Sequence, residues 1–135
     1  MGNAGSMLES YPKNLGDVET TALVACIEAC TECAQICTAC ADACLGEDTV
    51  AELTSCIRID LDCADLCAAT ARILSRQTGN NATVTKAVVE ACATACQVCG
   101  DECARHGSHH EHCRICAEAC RACEQACRDL LAALG

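Results

Sequence analysis

Six cysteines, Cys26, Cys30, Cys33, Cys37, Cys40 and Cys44, recur at alternating steps of four and three residues. That is the spacing of a helical seam, the stripe that in most chains carries Leu, Ile and Val toward a core. Here the side chains due to meet inside are thiols. The same period returns through Cys56, Cys63 and Cys67, through Cys92, Cys96, Cys99 and Cys103, and through Cys113, Cys116, Cys120, Cys123 and Cys127. All eighteen cysteines of the 135-residue chain fall on one of these four seams.

No stretch shows the alternation of a strand, so the seams read as four helices. The first runs over about 17–45 and is closed by Gly46 at a C′ position. The second spans 49–77 and opens with the capping box Thr49-Val50-Ala51-Glu52. The third spans 83–106, and the fourth spans 108–134 behind a second capping box, Ser108-His109-His110-Glu111. Each is close to 40 Å long at about 1.5 Å per residue, and short connections make neighbours antiparallel. The expected fold is all-α, an antiparallel up-down-up-down four-helix bundle with a cysteine-lined core. Residues 17–135 make the bundle domain. Residues 1–16 are an N-terminal extension, either disordered or in part a cloning remnant ahead of Met7.

This topology gives the thiol column a direction. Val18, Leu23, Ile73, Leu74, Val84, Val88, Leu130, Leu131 and Leu134 gather at one end as a dry plug. Cys44, Cys56, Cys103 and Cys113 gather at the other with His106, His109, His110 and His112, as a mouth. The seam of the second helix breaks at Asp60, between Cys56 and Cys63. Asp60 either turns outward or bonds a neighbour, or it faces the tube near the mouth as a charged group that draws a cation inward. A second apolar stripe on that helix, Val50, Ile57, Leu61, Ala64 and Ala68, suggests a covering protomer and hence a homo-oligomer.

Composition narrows the function. The chain has no Phe, no Trp and one Tyr, so cysteine and alanine must fill the interior, and free cysteine packs as a small hydrophobe. A formal charge of −10 argues against nucleic acid and anionic membranes, which call for a basic face. No run of eighteen apolar residues and no export signal are seen, which makes the cytoplasm the expected compartment. The loose myristoylation pattern at Gly2 and the sequon Asn81-Ala82-Thr83 carry no part of the functional argument.

Disulfides fit poorly, because seam neighbours on a helix have Cβ atoms about 5–6 Å apart while a disulfide needs about 3.5–4.5 Å. Thiolates at this spacing suit soft ions such as Cu(I), Zn(II) or iron–sulfur clusters. Iron–sulfur clusters use discrete cysteine sets, not continuous rails. Isolated Zn(Cys)₄ sites each bury about two negative charges, whereas one Cu(I) per bridging thiolate leaves a neutral interior. Copper is therefore favoured. A zinc or general soft-metal buffer and a thiol redox protein stand as alternatives, the latter resting on Cys113 in a first helical turn.

Rails of CxxxCxxCxxxC on four helices, without aromatics and with a histidine-bearing corner before the cysteines of the fourth, resemble the bacterial copper storage proteins, and in particular their cytosolic branch. The resemblance covers about Asp17 to Leu134. It implies a tetramer of four-helix bundles, many Cu(I) ions per protomer, and entry at the histidine end; a copper metallochaperone is a candidate partner, and no enzymatic activity is expected. Its mouth histidines fall on His106 and His112. Periodicity alone selects His106 and His109, since His109 lies four residues before Cys113.

Overall fold

The computed structural model describes residues 2–16 and 18–135. Its elements are α1 (Asn3–Glu9), α2 (Thr20–Leu45), a 3-10 turn (Val50–Glu52), α3 (Thr54–Ser75), α4 (Ala82–His106) and α5 (Glu111–Leu134). There is no strand among the described residues. In cyclic order, α2 packs on α3, α3 on α4, α4 on α5 and α5 on α2, which is a four-helix bundle. Thiol contacts set the directions. Cys26 near the start of α2 meets Cys127 near the end of α5 at 3.8 Å, and Cys67 in the second half of α3 meets Cys92 in the first half of α4 at 3.8 Å. Neighbours run antiparallel.

The helix ends depart from the sequence expectation in instructive ways. The expected start at Asp17 lies outside the described residues, and α2 begins at Thr20, with the Glu19 carboxylate accepting from the Thr21 amide. Gly46 ends α2 in a right-handed conformation, φ −86°, so no left-handed C′ turn forms. Neither capping box forms. Thr49 precedes a 3-10 turn and caps nothing with its side chain, and α3 starts four residues later from Leu53, which is 1% exposed and plugs that corner instead. At the other corner the N-cap is His110, Ser108 bonds His109, and Glu111 pairs with Arg114. Asn81, read above only as part of a sequon, caps α4 by accepting from the Val84 amide at 3.1 Å.

The plug is present but smaller than expected. Leu23, Leu74 and Leu130 are buried, joined by Val89 and Thr70, while Val18, Ile73, Val88 and Leu131 are half-buried. Val84 and Leu134 are exposed, because each lies on an end turn beyond the overlap of the four helices. On the second stripe of α3, Ala64 is buried within the protomer, whereas Leu61 is 43% exposed. Ahead of the bundle, α1 lies on α2 with Leu8 buried, and Tyr11 reaches Thr78 at 2.6 Å. By length and composition α2 could cross a membrane, although no single apolar run does so, because its cysteines and alanines score as apolar. Its seam faces the other helices, with all six cysteines at most 2% exposed.

Candidate metal centre

Four inward seams at helical period bring every thiol to one axis. All eighteen cysteines are free and buried. Each thiol layer meets the next at 3.6–4.0 Å, as in Cys30 with Cys92 (3.8 Å), Cys67 with Cys96 (3.6 Å), Cys37 with Cys120 (3.6 Å) and Cys99 with Cys103 (4.0 Å). These are van der Waals and weak S–H···S contacts, too long for a disulfide. Several sets of four sulfurs converge within 4.8 Å: Cys30, Cys92, Cys123 and Cys127; Cys33, Cys63, Cys67 and Cys96; Cys33, Cys37, Cys63 and Cys120; Cys37, Cys99, Cys116 and Cys120. The sets share members. Cys33, Cys37, Cys63 and Cys120 each belong to two, so filling neighbouring sets requires thiolates that bridge two ions.

Asp60 sits inside this column and is fully buried, not at its rim. Its Oδ1 accepts from Cys99 at 3.1 Å, Cys103 at 3.2 Å and Cys116 at 3.3 Å, and Cys56 approaches Oδ2 at 3.9 Å. Of the two readings of Asp60, the inward one is the geometry found, one layer deeper than the mouth. Burial pushes its carboxyl up to about 8. Among the described residues it is the one carboxylate that interrupts a cysteine rail.

At the mouth, Cys40, Cys44, Cys113 and His112 form a four-ligand group. His112 Nδ1 lies 3.4 Å from Cys40 Sγ and 3.6 Å from Cys113 Sγ. His106 lies near Cys56, and its Nε2 is 3.5 Å from Glu102, a carboxylate only 8% exposed that also pairs with Arg105. His109, the periodic candidate, is exposed and bonds Ser108 through Nδ1, because the corner unwinds the turn that would have carried it toward Cys113. Cys113 is fully buried, and desolvation pushes its thiol up to about 11. A thiol so placed is protonated and shielded, which removes the basis for a reactive nucleophile there.

Sequence reasoning missed Glu47. Its Oε2 accepts from His112 Nε2 at 2.8 Å, His110 Nδ1 lies 2.9 Å from the same oxygen, and the two rings stack at 5.5 Å. These contacts, the His112 hydrogen bond first, hold the Glu47 carboxyl below its ordinary range. A carboxylate in a short turn carries no periodicity, so only its place in the Gly46-Glu47-Asp48 corner opposite a histidine-rich loop could have flagged it.

Comparison with known proteins agrees with this geometry. No curated protein matches the chain. Among solved structures, the copper storage protein Ccsp from Streptomyces lividans loaded with 10 copper equivalents is 64% identical over 96% of this chain and 98% of that chain, with a TM-score of 0.95. A cytosolic copper storage protein from the same organism carrying five coppers is 69% identical over 83% of this chain and 93% of that one, with a TM-score of 0.82. The Cu(I)-bound copper storage protein BsCsp3, of Bacillus subtilis, is 38% identical over 79% of this chain and 95% of that one, with a TM-score of 0.71. The family model for copper storage proteins matches residues 19–132, from the residue that caps α2 to the last turn of α5. The chain belongs to the copper storage protein family.

Proposed function

We propose that this chain is a cytosolic store for many Cu(I) ions, held as bridged thiolate clusters inside the bundle, and that it catalyses no reaction. The observation that carries this is the sharing of Cys33, Cys37, Cys63 and Cys120 between adjacent four-sulfur sets. Shared ligands make a polynuclear cluster, and Cu(I) bridged by thiolates fills such a column while cancelling the charge of the deprotonated sulfurs. Copper enters at His112 and His106, is taken by Cys40, Cys44 and Cys113, and meets Asp60 on its way to the deeper layers. Ligation gives the thiols' protons up to solvent, and Asp60 lies within hydrogen-bond reach of three of those thiols. Compartment and cargo follow the Streptomyces lividans relative, described as cytosolic and copper-loaded.

Anaerobic titration of the reduced apo-protein against a competing Cu(I) chelator tests this. Uptake should approach the count of bridging thiolates, and saturation after a handful of ions overturns it. Four-sulfur groups of this size also suit tetrahedral Zn(II), with Zn–S bonds of about 2.3 Å. In competition, Cu(I) should displace zinc completely.

A homo-oligomer, a tetramer by family resemblance, and delivery by a copper metallochaperone belong to the same reading. Exposed Leu61, Leu66 and Val98 supply apolar surface for the first. Light scattering on the eluting protein should return a mass near four times 14.0 kDa. A monomer mass at micromolar concentration removes the tetramer.

A further inference from the structure

The geometry points to Glu47 as a positioning residue that sets the tautomers of the two mouth imidazoles and thereby keeps a nitrogen lone pair of His112 facing the entry thiols. A carboxylate only accepts, so a ring nitrogen bonded to it carries the proton. Glu47 Oε2 is hydrogen-bonded to His112 Nε2 at 2.8 Å and lies 2.9 Å from His110 Nδ1, the opposite nitrogen of the other ring, and at that distance a carboxylate oxygen repels a bare nitrogen lone pair and attracts an N–H. A neutral imidazole has one N–H. His112 is therefore protonated at Nε2, and its Nδ1 lone pair is the atom 3.4 Å from Cys40 Sγ and 3.6 Å from Cys113 Sγ. His110 is protonated at Nδ1, the form a free imidazole disfavours.

Without Glu47 no other described residue claims His112 Nε2, and the Nδ1 proton would gain acceptors in Cys40 and Cys113. The ring would then present an N–H to the sulfurs where an incoming cation needs a lone pair. One oxygen also holds both rings at the stacked separation of 5.5 Å, which fixes their orientation before any ion arrives. Carboxylates bonded to the second nitrogen of a ligating histidine commonly matter by about 10–100-fold in metal affinity or activity. No sequence motif marks Glu47, because its role exists only across the corner between α2 and the start of α5.

The inference rests on His112 acting as an entry ligand, and the test separates the two. Long-range ¹H–¹⁵N correlation spectra of the reduced apo-protein, about two units above the ordinary imidazole value of about 6.5, should show His110 as the Nδ1–H form and His112 as the Nε2–H form. Glu47→Ala should return His110 to Nε2–H and slow the first phase of Cu(I) uptake about tenfold. Glu47→Gln keeps an accepting oxygen, so it should retain both tautomers and load within about twofold of wild type. Unchanged tautomers in Glu47→Ala, or a Gln variant as slow as the Ala variant, overturn the inference. His112→Ala loading at the wild-type rate instead fails the entry reading, while the spectra still judge the role of Glu47.

Discussion

The two ends of the bundle are built from the same four helices and finished differently. At the dry end both helix starts are closed by side chains, Glu19 on α2 and Asn81 on α4, and the core is sealed by Leu23, Leu74, Val89 and Leu130. At the mouth both helix starts, from Leu53 and His110, lack a side-chain cap, and the polar groups are spent on one another: Glu47 on His110 and His112, and Glu102 on His106 and Arg105. One end is organised to stay shut. The other sets His112 and its carboxylate partner beside the outermost thiols.

If that division is right, damage at the dry end should cost stability and leave loading intact. Leu130 is 1% exposed in the plug, and truncating a buried leucine typically costs about 2–5 kcal/mol through lost burial and the cavity left behind. Leu130→Ala should lower the unfolding free energy of the apo-protein, read from urea denaturation, by that much, while the number of Cu(I) ions bound in a chelator competition stays at the wild-type value. A fall in stoichiometry as well would mean that the plug and the column are one cooperative structure.

The next effect lies between the ends, at Asp60. Its carboxyl, ordinarily near 3.8, is pushed up to about 8 chiefly by burial, so the folded apo-protein holds a proton that the unfolded chain has lost. Stability contributed by this group is therefore complete below about pH 4 and drains away as pH rises toward about 8. In Asp60→Asn that slope should vanish from urea midpoints taken across the window. The variant should match wild type at the acid limit and exceed it near pH 8. A parallel pair of curves would show that the carboxylate is ionised throughout and compensated by the thiols of Cys99, Cys103 and Cys116.

Which parts of this could be read in the chain follows from what each feature depends on. The rails, the antiparallel order and the polarity of the column rest on period and loop length, both written locally, and they survive into the structure. Even Val89 was within reach, since it lies three and seven residues before Cys92 and Cys96 and shares their face. The mouth was harder. His109 sits at the correct periodic distance from Cys113, but the helix begins too late for that period to apply, so His112, which precedes Cys113 directly, faces the sulfurs instead. Glu47 and Glu102 take their roles from partners across a corner or a turn, and no spacing announces them. Asp60 was visible as the break in a rail, yet its depth among Cys99, Cys103 and Cys116 depends on the register of two other helices, α4 and α5.

The smallest effect tests the contrast in its plainest form, at two helix starts. The sequence offers a stronger cap signature at Ser108, with Glu111 three residues on, than at Asn81. The structure reverses the ranking, because Asn81 accepts from the Val84 amide at 3.1 Å, while Ser108 lies before the true N-cap and bonds only His109. Losing a working cap costs about 1 kcal/mol, and a surface substitution away from one stays within about 0.5 kcal/mol. Asn81→Ala should therefore shift the urea midpoint of the apo-protein measurably and Ser108→Ala should not. Equal losses would mean that α5 reaches back to Ser108 in solution, which would carry His109 toward Cys113 and bring the two ends closer to one design.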